Sequence, residues 1–454
     1  IMNIVIDAAT VLRAWPNVEK YQNTTLRYTP NTDFPEVMEE IIGKPDIIRL
    51  FVTLDEVWDY RTNEYHWNYL IGENRYVGDN KHYEYDWPLT EVSPFQVHEE
   101  DYLRSHAAHA KTVMLNIRRY EREVIEGIIT LETYEKVFEK VVEYYKEHIA
   151  NIVYIECCNE VEIPRFGGLR MEEYYPLYQC ASRAIARLNA KHSYEQPLQI
   201  GGFGMSAGMS NWKYWDAFMR LLAKDEKRKI DYYSMHEYHG NPCRILEFYI
   251  RHEELRKEFN LPELPLMMSE YGMRYGLGDA GRPDNLHNAS GEVAGMLLGS
   301  YCKNLKMFPW CSFHNPNQQL GRTMFLQMED TYIPTPSGHV MTMFHWLKPW
   351  QLIVEEDTEN QIIATKDKDS YAIMAANPLE DKREYHFLLK HIKKADYIMK
   401  EYYVDAFHNN CLQDKSCMKL SISRETKFQN VDKITFTREM NPTSVHFYTI
   451  EKRK

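Results

Sequence analysis

Two hydrophobic rhythms divide the chain. Up to about residue 350, short apolar runs alternate with longer stretches whose apolar residues recur every three or four positions. The runs at 4–8, 47–53, 112–117, 152–158, 198–202, 232–236, 266–270 and 307–313 are predicted strands. Between them the period becomes helical. Tyr134, Val137, Phe138, Val141, Val142 and Tyr145 fall on one helix face. Tyr174, Tyr178, Ala181, Ile185 and Leu188 repeat the pattern, as do Trp212, Trp215, Phe218 and Leu222. Weaker versions follow at 245–250, 293–301 and 340–347. Strand–helix alternation predicts parallel βαβ units. Eight units predict an α/β protein whose residues 1–348 form a (β/α)8 TIM barrel. An open doubly wound sheet is the competing architecture, but no GxGxxG turn follows the first run.

After Trp350 the helical period disappears. Alternating runs at 351–355, 371–377, 385–390, 396–404, 418–423, 433–437 and 444–450 are separated by charged turns. They predict a C-terminal antiparallel β-sandwich over 349–454. One connection is unusually long. Residues 54–111 carry Trp58, Tyr60, Tyr65, Trp67, Tyr69, Tyr76, Tyr83, Tyr85 and Trp87. In a barrel this segment rims the C-terminal face, where active sites are built. A loop stabilised by its own aromatic cluster is the competing explanation.

Composition narrows the classes. A net charge of −12 argues against a nucleic-acid binder or a polybasic membrane anchor. No run of 18 apolar residues predicts a membrane span. The 33 Tyr, 18 Phe and 9 Trp fit either a large core or rings that stack on sugars. The eight cysteines are scattered and form no CxxC, so they read mostly as buried thiols in a reducing compartment, with a cytoplasmic location expected. The first residues have no signal-like character, although a leader already removed would leave no mark. The sequons Asn23-Thr24-Thr25 and Asn288-Ala289-Ser290 are unremarkable in a chain of this length.

The strongest chemical signal is a pair of strand ends. The fourth strand runs Tyr154-Ile155-Glu156-Cys157-Cys158-Asn159-Glu160, and the seventh ends Met267-Met268-Ser269-Glu270-Tyr271-Gly272. Carboxylates at the C-terminal ends of two barrel strands point into one rim. Burial penalises two neighbouring anions, so one should hold a proton at neutral pH. That split supplies an acid and a nucleophile for glycosidic cleavage. A solvated or salt-bridged rim residue is the bland alternative for either glutamate alone.

In these segments the chain resembles clan A of the retaining glycoside hydrolases, and within it family 39, the β-xylosidases and α-L-iduronidases. The family's Phe-Glu-x-Trp-Asn-Glu-Pro is matched at Ile155-Glu156-Cys157-Cys158-Asn159-Glu160. Its Asp-Phe-x-x-x-His is echoed by Asp231-Tyr232-Tyr233-Ser234-Met235-His236, and its Thr-Glu-Trp by Ser269-Glu270-Tyr271. The departures are Cys158 and Tyr271 for Trp, Val161 for Pro, no His-Gly in Arg49-Leu50-Phe51-Val52, and no acidic residue in 308–314. The resemblance implies Glu160 as general acid/base, Glu270 as nucleophile and Asn159 on the sugar 2-hydroxyl. It also implies that Arg49 keeps Glu270 ionised. A structural ion pair of Arg49 with Glu156 is the alternative, and both roles are compatible. His236 and Tyr238 share a strand face by the period of two. By resemblance they reach the nucleophile or the sugar, whereas the competing reading of His236 is a core histidine. Trp310 is a candidate stacking floor, with core packing as its alternative. Asp55, Glu56, Trp58 and Asp59 are candidates for selecting sugar hydroxyls.

His236-Glu237-Tyr238-His239 is not a zinc motif, because HExxH needs two histidines four apart on a helix. The better metal rival is a divalent cation held by Glu160, Glu270 and His236, as in a sugar isomerase barrel. Such sites usually gather more Asp and His than appear here. No P-loop or GxSxG is present, and Gly201-Gly202-Phe203-Gly204 reads as a tight turn. The expectation is a retaining glycoside hydrolase without cofactor or metal, exo-acting on a β-linked pentoside or hexoside. The alternatives are a metal-dependent sugar isomerase and a catalytically silent carbohydrate-binding barrel. A carbohydrate is the expected partner, nucleic acid and membrane are not, and self-association stays open.

Overall fold

The computed structural model describes residues 1–24, 33–69, 98–206, 208–238, 240–273, 285–313, 321–328, 331–355, 357, 359, 361–411, 413–414 and 419–453. Eight parallel strands form the barrel: Tyr21–Asn23, Ile47–Thr53, Thr112–Arg118, Ile152–Cys157, Gln199–Gly202, Tyr233–Tyr238, Leu266–Gly272 and Leu305–Pro309. The first five pair in order, and so do the last three. A Met205–Met235 bridge joins the two groups at one seam. At the other, the Ser312 N–H donates to the Asn23 carbonyl at 2.8 Å. Helices cover the outside, which is why a strand such as Ile47–Thr53 is buried along its whole length.

Each predicted helix is present: Leu131–His148, Met171–His192, Trp212–Lys224, Cys243–Glu258, Leu286–Gly299 and Pro336–Trp346. Phe34–Ile42 and Glu99–Ala108 complete the ring after the first two strands. In Leu131–His148 the six predicted face residues are all buried, and Thr130 caps the start by accepting from the Thr133 N–H.

The first strand differs from the expectation. Met2–Ala14, which contains the run 4–8, lies outside the barrel. It pairs antiparallel with Trp350–Glu355 and parallel with Arg383–Lys390. Ile4, Ile6 and Ala8 point into the C-terminal core. Tyr21–Asn23 takes the first barrel position instead, so the fourth and seventh strands keep their ordinals.

The C-terminal region is one nine-stranded sheet that includes Met2–Ala14. Across it run Arg424–Val431, Ala395–Val404, Ser444–Lys452, Ser370–Asn377, Ile362–Lys366, Trp350–Glu355, Met2–Ala14, Arg383–Lys390 and Ile434–Met440. The sheet curls into a sandwich. Phe436 from its last strand sits 4.9 Å from Tyr448 of its third. Arg438 grips the buried Glu401 through two guanidinium nitrogens. Two expectations fail in detail. The run 418–423 precedes the real strand, which is the largely exposed Arg424–Val431, and Ile362–Lys366 was not predicted.

Among the described residues, seven cysteines are free thiols, six of them buried and Cys243 exposed. Asn288 of the second sequon is buried in the helix Leu286–Gly299. No described helix is long and apolar enough to cross a membrane.

Candidate active site

Inward-facing side chains stack in layers, as barrel interiors do. Ile47, Met114, Tyr232, Met267 and Phe308 form an apolar floor. Above it lies a polar layer two residues further along each strand. Arg49 is its centre and is fully buried. Its Nε donates to Glu156 Oε2 at 2.7 Å, Nη1 to Glu270 Oε1 at 2.8 Å and Nη2 to Asn159 Oδ1 at 2.7 Å. Both partners expected for Arg49 are therefore engaged at once. Glu156 also accepts from Asn116 Nδ2 at 2.7 Å, Ser269 Oγ at 2.6 Å and Ser234 Oγ. Burial pushes the Glu156 carboxyl up. Arg49, His236 and the two serines outweigh burial and hold it below the ordinary glutamate value.

The fourth strand leaves the barrel through a sharp turn. Cys158 and Glu160 both adopt left-handed backbone, with φ of 69° and 47°. Each costs about 1–2 kcal/mol in a non-glycine residue. The turn is pinned by the Glu160 N–H donating to the Phe203 carbonyl at 3.0 Å. It places Asn159 on Arg49 and Glu160 on His236.

His236 bridges the two acids. Its Nδ1 lies 2.7 Å from Glu160 Oε1 and 3.4 Å from Glu270 Oε2. Its other edge packs on Gly204, where a Cβ would stand 2.6 Å from Nε2, so only glycine fits there. Burial lowers the His236 pKa, but the facing Glu270 and Glu160 carboxylates raise it overall. The Glu160 carboxyl is raised, first by burial and then by Glu270, against the opposing pull of His236. The Tyr238 hydroxyl donates to Glu270 Oε2 at 2.6 Å. Both Glu270 oxygens thus accept from fixed donors, which sets the plane of the carboxylate.

Of the predicted site residues, the structure joins Arg49, Asn159, Glu160, His236, Tyr238 and Glu270 in one contact network. Trp310, just past the eighth strand, is half-buried. Its ring meets Phe51 edge-on at 6.0 Å, and Phe51 lies 4.6 Å from the Arg49 guanidinium carbon. Trp58 is placed elsewhere. Its ring is buried against Tyr65 and Tyr120, and its indole N–H donates to Asn63 at 3.0 Å. Those contacts pack its loop against Tyr120, which follows the third barrel strand, and do not reach the carboxylate pair. Asp59 pairs with Arg61 at 2.8 Å, and Glu56 accepts from the Thr53 hydroxyl at 2.6 Å. The Asp55 carboxyl is pushed up to about 7, mainly by burial. Tyr76, Tyr83, Tyr85, Trp87 and His239 lie outside the described residues.

Asn116, Ser234 and Ser269 are members of the site that sequence reasoning missed. Their signal was faint: each is a small polar residue two positions past an apolar inward residue on its strand. Arg322 carried no signal. Its guanidinium lies 4.6 Å over the Tyr238 ring, and Nε donates to the Met273 carbonyl at 3.1 Å.

A cation is the other group that could be asked of these donors. One atom each from Glu160, His236 and Glu270 lie within 4.8 Å of one another. Carboxylates and imidazole suit a divalent metal in type. Yet Arg49 already sets a positive charge 2.8 Å from Glu270, and Tyr238 engages that carboxylate's second oxygen. The set therefore fits a shared proton better than a metal ion.

No family model and no curated protein sequence matches the chain. Solved structures do. A glucosidase from Croceicoccus marinus aligns at a TM-score of 0.69 with 11% identity, over 100% of both chains. A monomeric β-xylosidase from Caulobacter crescentus aligns at 0.69 with 14% identity, again over 100% of both. A GH39 enzyme from Xanthomonas axonopodis pv. citri aligns at 0.68 with 13% identity, over 99% of this chain and 97% of that one. At these identities the likeness is one of fold: the chain shares the barrel and the β-sandwich of these proteins from end to end.

Proposed function

We propose that the chain is a retaining glycoside hydrolase of the clan A type. One observation carries the reading. Glu160 and Glu270, at the ends of the fourth and seventh barrel strands, bring carboxylate oxygens within 4.8 Å of each other. Both oxygens lie on one imidazole nitrogen, His236 Nδ1, at 2.7 and 3.4 Å. So close an approach favours the carboxyl separation of about 5–5.5 Å that accompanies retention over the separation of about 6.5–9.5 Å that accompanies inversion. The fold shared with a glucosidase, a β-xylosidase and a GH39 enzyme supports the same reading.

The geometry supports a division of labour. Glu160, its carboxyl raised by burial, holds the proton that the leaving oxygen takes. Glu270, fixed by Arg49 and Tyr238, attacks the anomeric carbon as the bond to that oxygen breaks. The product is a glycosyl ester on Glu270 and a free alcohol. Glu160, now a carboxylate, takes a proton from water, and the hydroxide attacks the anomeric carbon. The sugar leaves and Glu270 is regenerated. His236 lies between the two carboxylates and shares the proton's site with Glu160. Asn159, whose Oδ1 is held by Arg49, is proposed to meet the sugar 2-hydroxyl. Trp310, against Phe51, is the proposed sugar floor.

The substrate we propose is a β-linked pentoside or hexoside cleaved from the chain end. The wall expected to close such a pocket is the aromatic loop 54–111, of which residues 70–97 lie outside the described ones. A panel of chromogenic xylosides, arabinosides, glucosides, galactosides and uronides tests the activity. Turnover of one or more by the native chain, abolished in Glu270→Ala and in Glu160→Gln, is the expected result. Turnover surviving in both variants removes the assignment.

A further inference from the structure

Two cysteines precede the acid/base turn. Cys157 ends the fourth barrel strand, and Cys158 follows in left-handed backbone. In extended backbone, neighbouring side chains point to opposite faces. The turn at Cys158 brings both to one side, so their Sγ atoms lie 3.7 Å apart. Each Sγ is 3.9 Å from the Tyr134 hydroxyl oxygen. Both residues are free thiols, buried between the barrel wall and the helix Leu131–His148. Cys158 is also a tether. Its N–H donates to the Ile117 carbonyl at 2.8 Å, and its carbonyl accepts from Asn116 Nδ2 at 2.8 Å. Asn159 and Glu160 hang directly from this peptide.

We propose that Cys157 and Cys158 are an oxidative modification site for a small uncharged peroxide, and that bridging them withdraws Asn159 and Glu160 from the active site. The consequence for activity rests on the reading of Glu160 as acid/base; the modification does not. One thiolate attacks a peroxide oxygen, forming a sulfenic acid and releasing hydroxide. The adjacent thiolate attacks that sulfur, forms the S–S bond and expels the second hydroxide. With the two thiol protons, both hydroxides leave as water. Two thiols lose two electrons and one peroxide gains them. Both thiols are fully buried, and burial raises the Cys158 thiol. Bulky disulfide reagents are excluded, hydrogen peroxide is the fitting oxidant, and the scarcity of thiolate makes the reaction slow.

Geometry links the bridge to the site. Consecutive Cα atoms stand about 3.8 Å apart across a trans peptide. That is shorter than the usual spacing of bridged cysteines, about 4.4–6.8 Å, so a bridge between neighbours is strained. Bonded sulfurs stand about 2.05 Å apart, against 3.7 Å here, and closing that gap distorts the backbone between them. The 157–158 peptide must turn, the bonds to Ile117 and Asn116 must give, and Asn159 moves off Arg49.

The test exposes the intact chain to hydrogen peroxide, removes the excess with catalase, then denatures and alkylates it. Peptide mass should show the 157–158 segment lighter by two hydrogens and unalkylated. Hydrolysis should fall about 100-fold, as small misplacements of catalytic groups produce, and dithiothreitol should restore it. Cys157→Ser should form no bridge and keep its activity under the same exposure. Full alkylation of both thiols after exposure overturns the proposal. So does a bridge that leaves activity unchanged. If the untreated chain turns over no glycoside, the hydrolase reading fails by itself, and the bridge is still read by mass. Amide hydrogen exchange at 159–162 should then rise on bridging, and unchanged exchange overturns the link to the site.

Discussion

Replacing Glu156 with Gln isolates what holds Arg49 in place. The buried carboxylate accepts four hydrogen bonds, from Arg49, Asn116, Ser234 and Ser269. A glutamine fits with its oxygen towards Arg49 and Asn116, neither of which can accept there. Its NH2 then faces the two serine hydroxyls, which can rotate to accept. The hydrogen bonds are largely kept and the charge is lost. Breaking a buried ion pair by removing one partner costs about 3–5 kcal/mol. Arg49 retains Glu270 at 2.8 Å, so the lower end, about 3 kcal/mol, is expected. In a chain of this size that corresponds to a Tm fall of about 6 °C or less. The pH profile should move as well. His236 lies in the field of Glu156 and shares its proton with Glu160. Removing the anion lowers the pKa of both, so the alkaline limb of kcat/KM shifts to lower pH. Calorimetry and a pH–rate series on Glu156→Gln measure the two effects. A variant as stable as the native chain, with an unmoved alkaline limb, would refute the claim that Glu156 anchors the site.

Three other outcomes are expected. Tyr238→Phe removes a hydrogen bond to a charged carboxylate, about 1.5–3 kcal/mol, so kcat/KM should fall about 10- to 100-fold with Tm little changed; equal loss of both points to a structural role. Gly295→Ala places a Cβ 1.7 Å from the Tyr271 hydroxyl oxygen, and calorimetry should show a loss of about 1–3 kcal/mol from overpacking, while an unchanged Tm contradicts that contact. Stability should fall as pH rises from about 6.5 to 8, above the range in which the buried His106, His252, His339 and His446, held down to about 3–4 by burial, act in the opposite sense. Burial pushes Glu292 and Glu99 up to about 8 and Glu162 and Glu237 to about 7. The folded chain keeps protons that the unfolded chain releases above about pH 4.5, so each group costs up to about 1.4 kcal/mol per pH unit until its folded pKa is passed. A Tm that is flat or rising across that window contradicts the buried, protonated state of these acids.

Much of the candidate site's position was readable because its strands are long, apolar and closed by polar residues. The runs at 152–158 and 266–270 announce buried strands, and the acids directly behind them have nowhere to go but the rim. The first barrel strand was not readable, since Tyr21–Asn23 is three residues long and buries the polar Gln22 and Asn23. The run 4–8 reads equally well for either sheet, because alternation states that one face is buried and not against what. Arg424–Val431 ends the sheet and carries mostly exposed polar side chains, so its hydrophobic signal is weak. The helix Leu286–Gly299 is buried on all sides, which erases the amphipathic period that marked Leu131–His148 so clearly. Ser234 and Ser269 escaped notice for a related reason. Their value comes from meeting Glu156, and that meeting depends on barrel closure across distant strands.

The most direct test is to trap the covalent intermediate. Incubation with activated 2-fluoro analogues of the glycosides that the chain turns over should slow release of the ester, and peptide mass spectrometry then locates the sugar. One glycosyl group on Glu270, absent when the fluoro sugar is omitted, is the predicted result. An adduct on another side chain, or a released sugar of inverted anomeric configuration, would contradict double displacement at the Glu160–Glu270 pair.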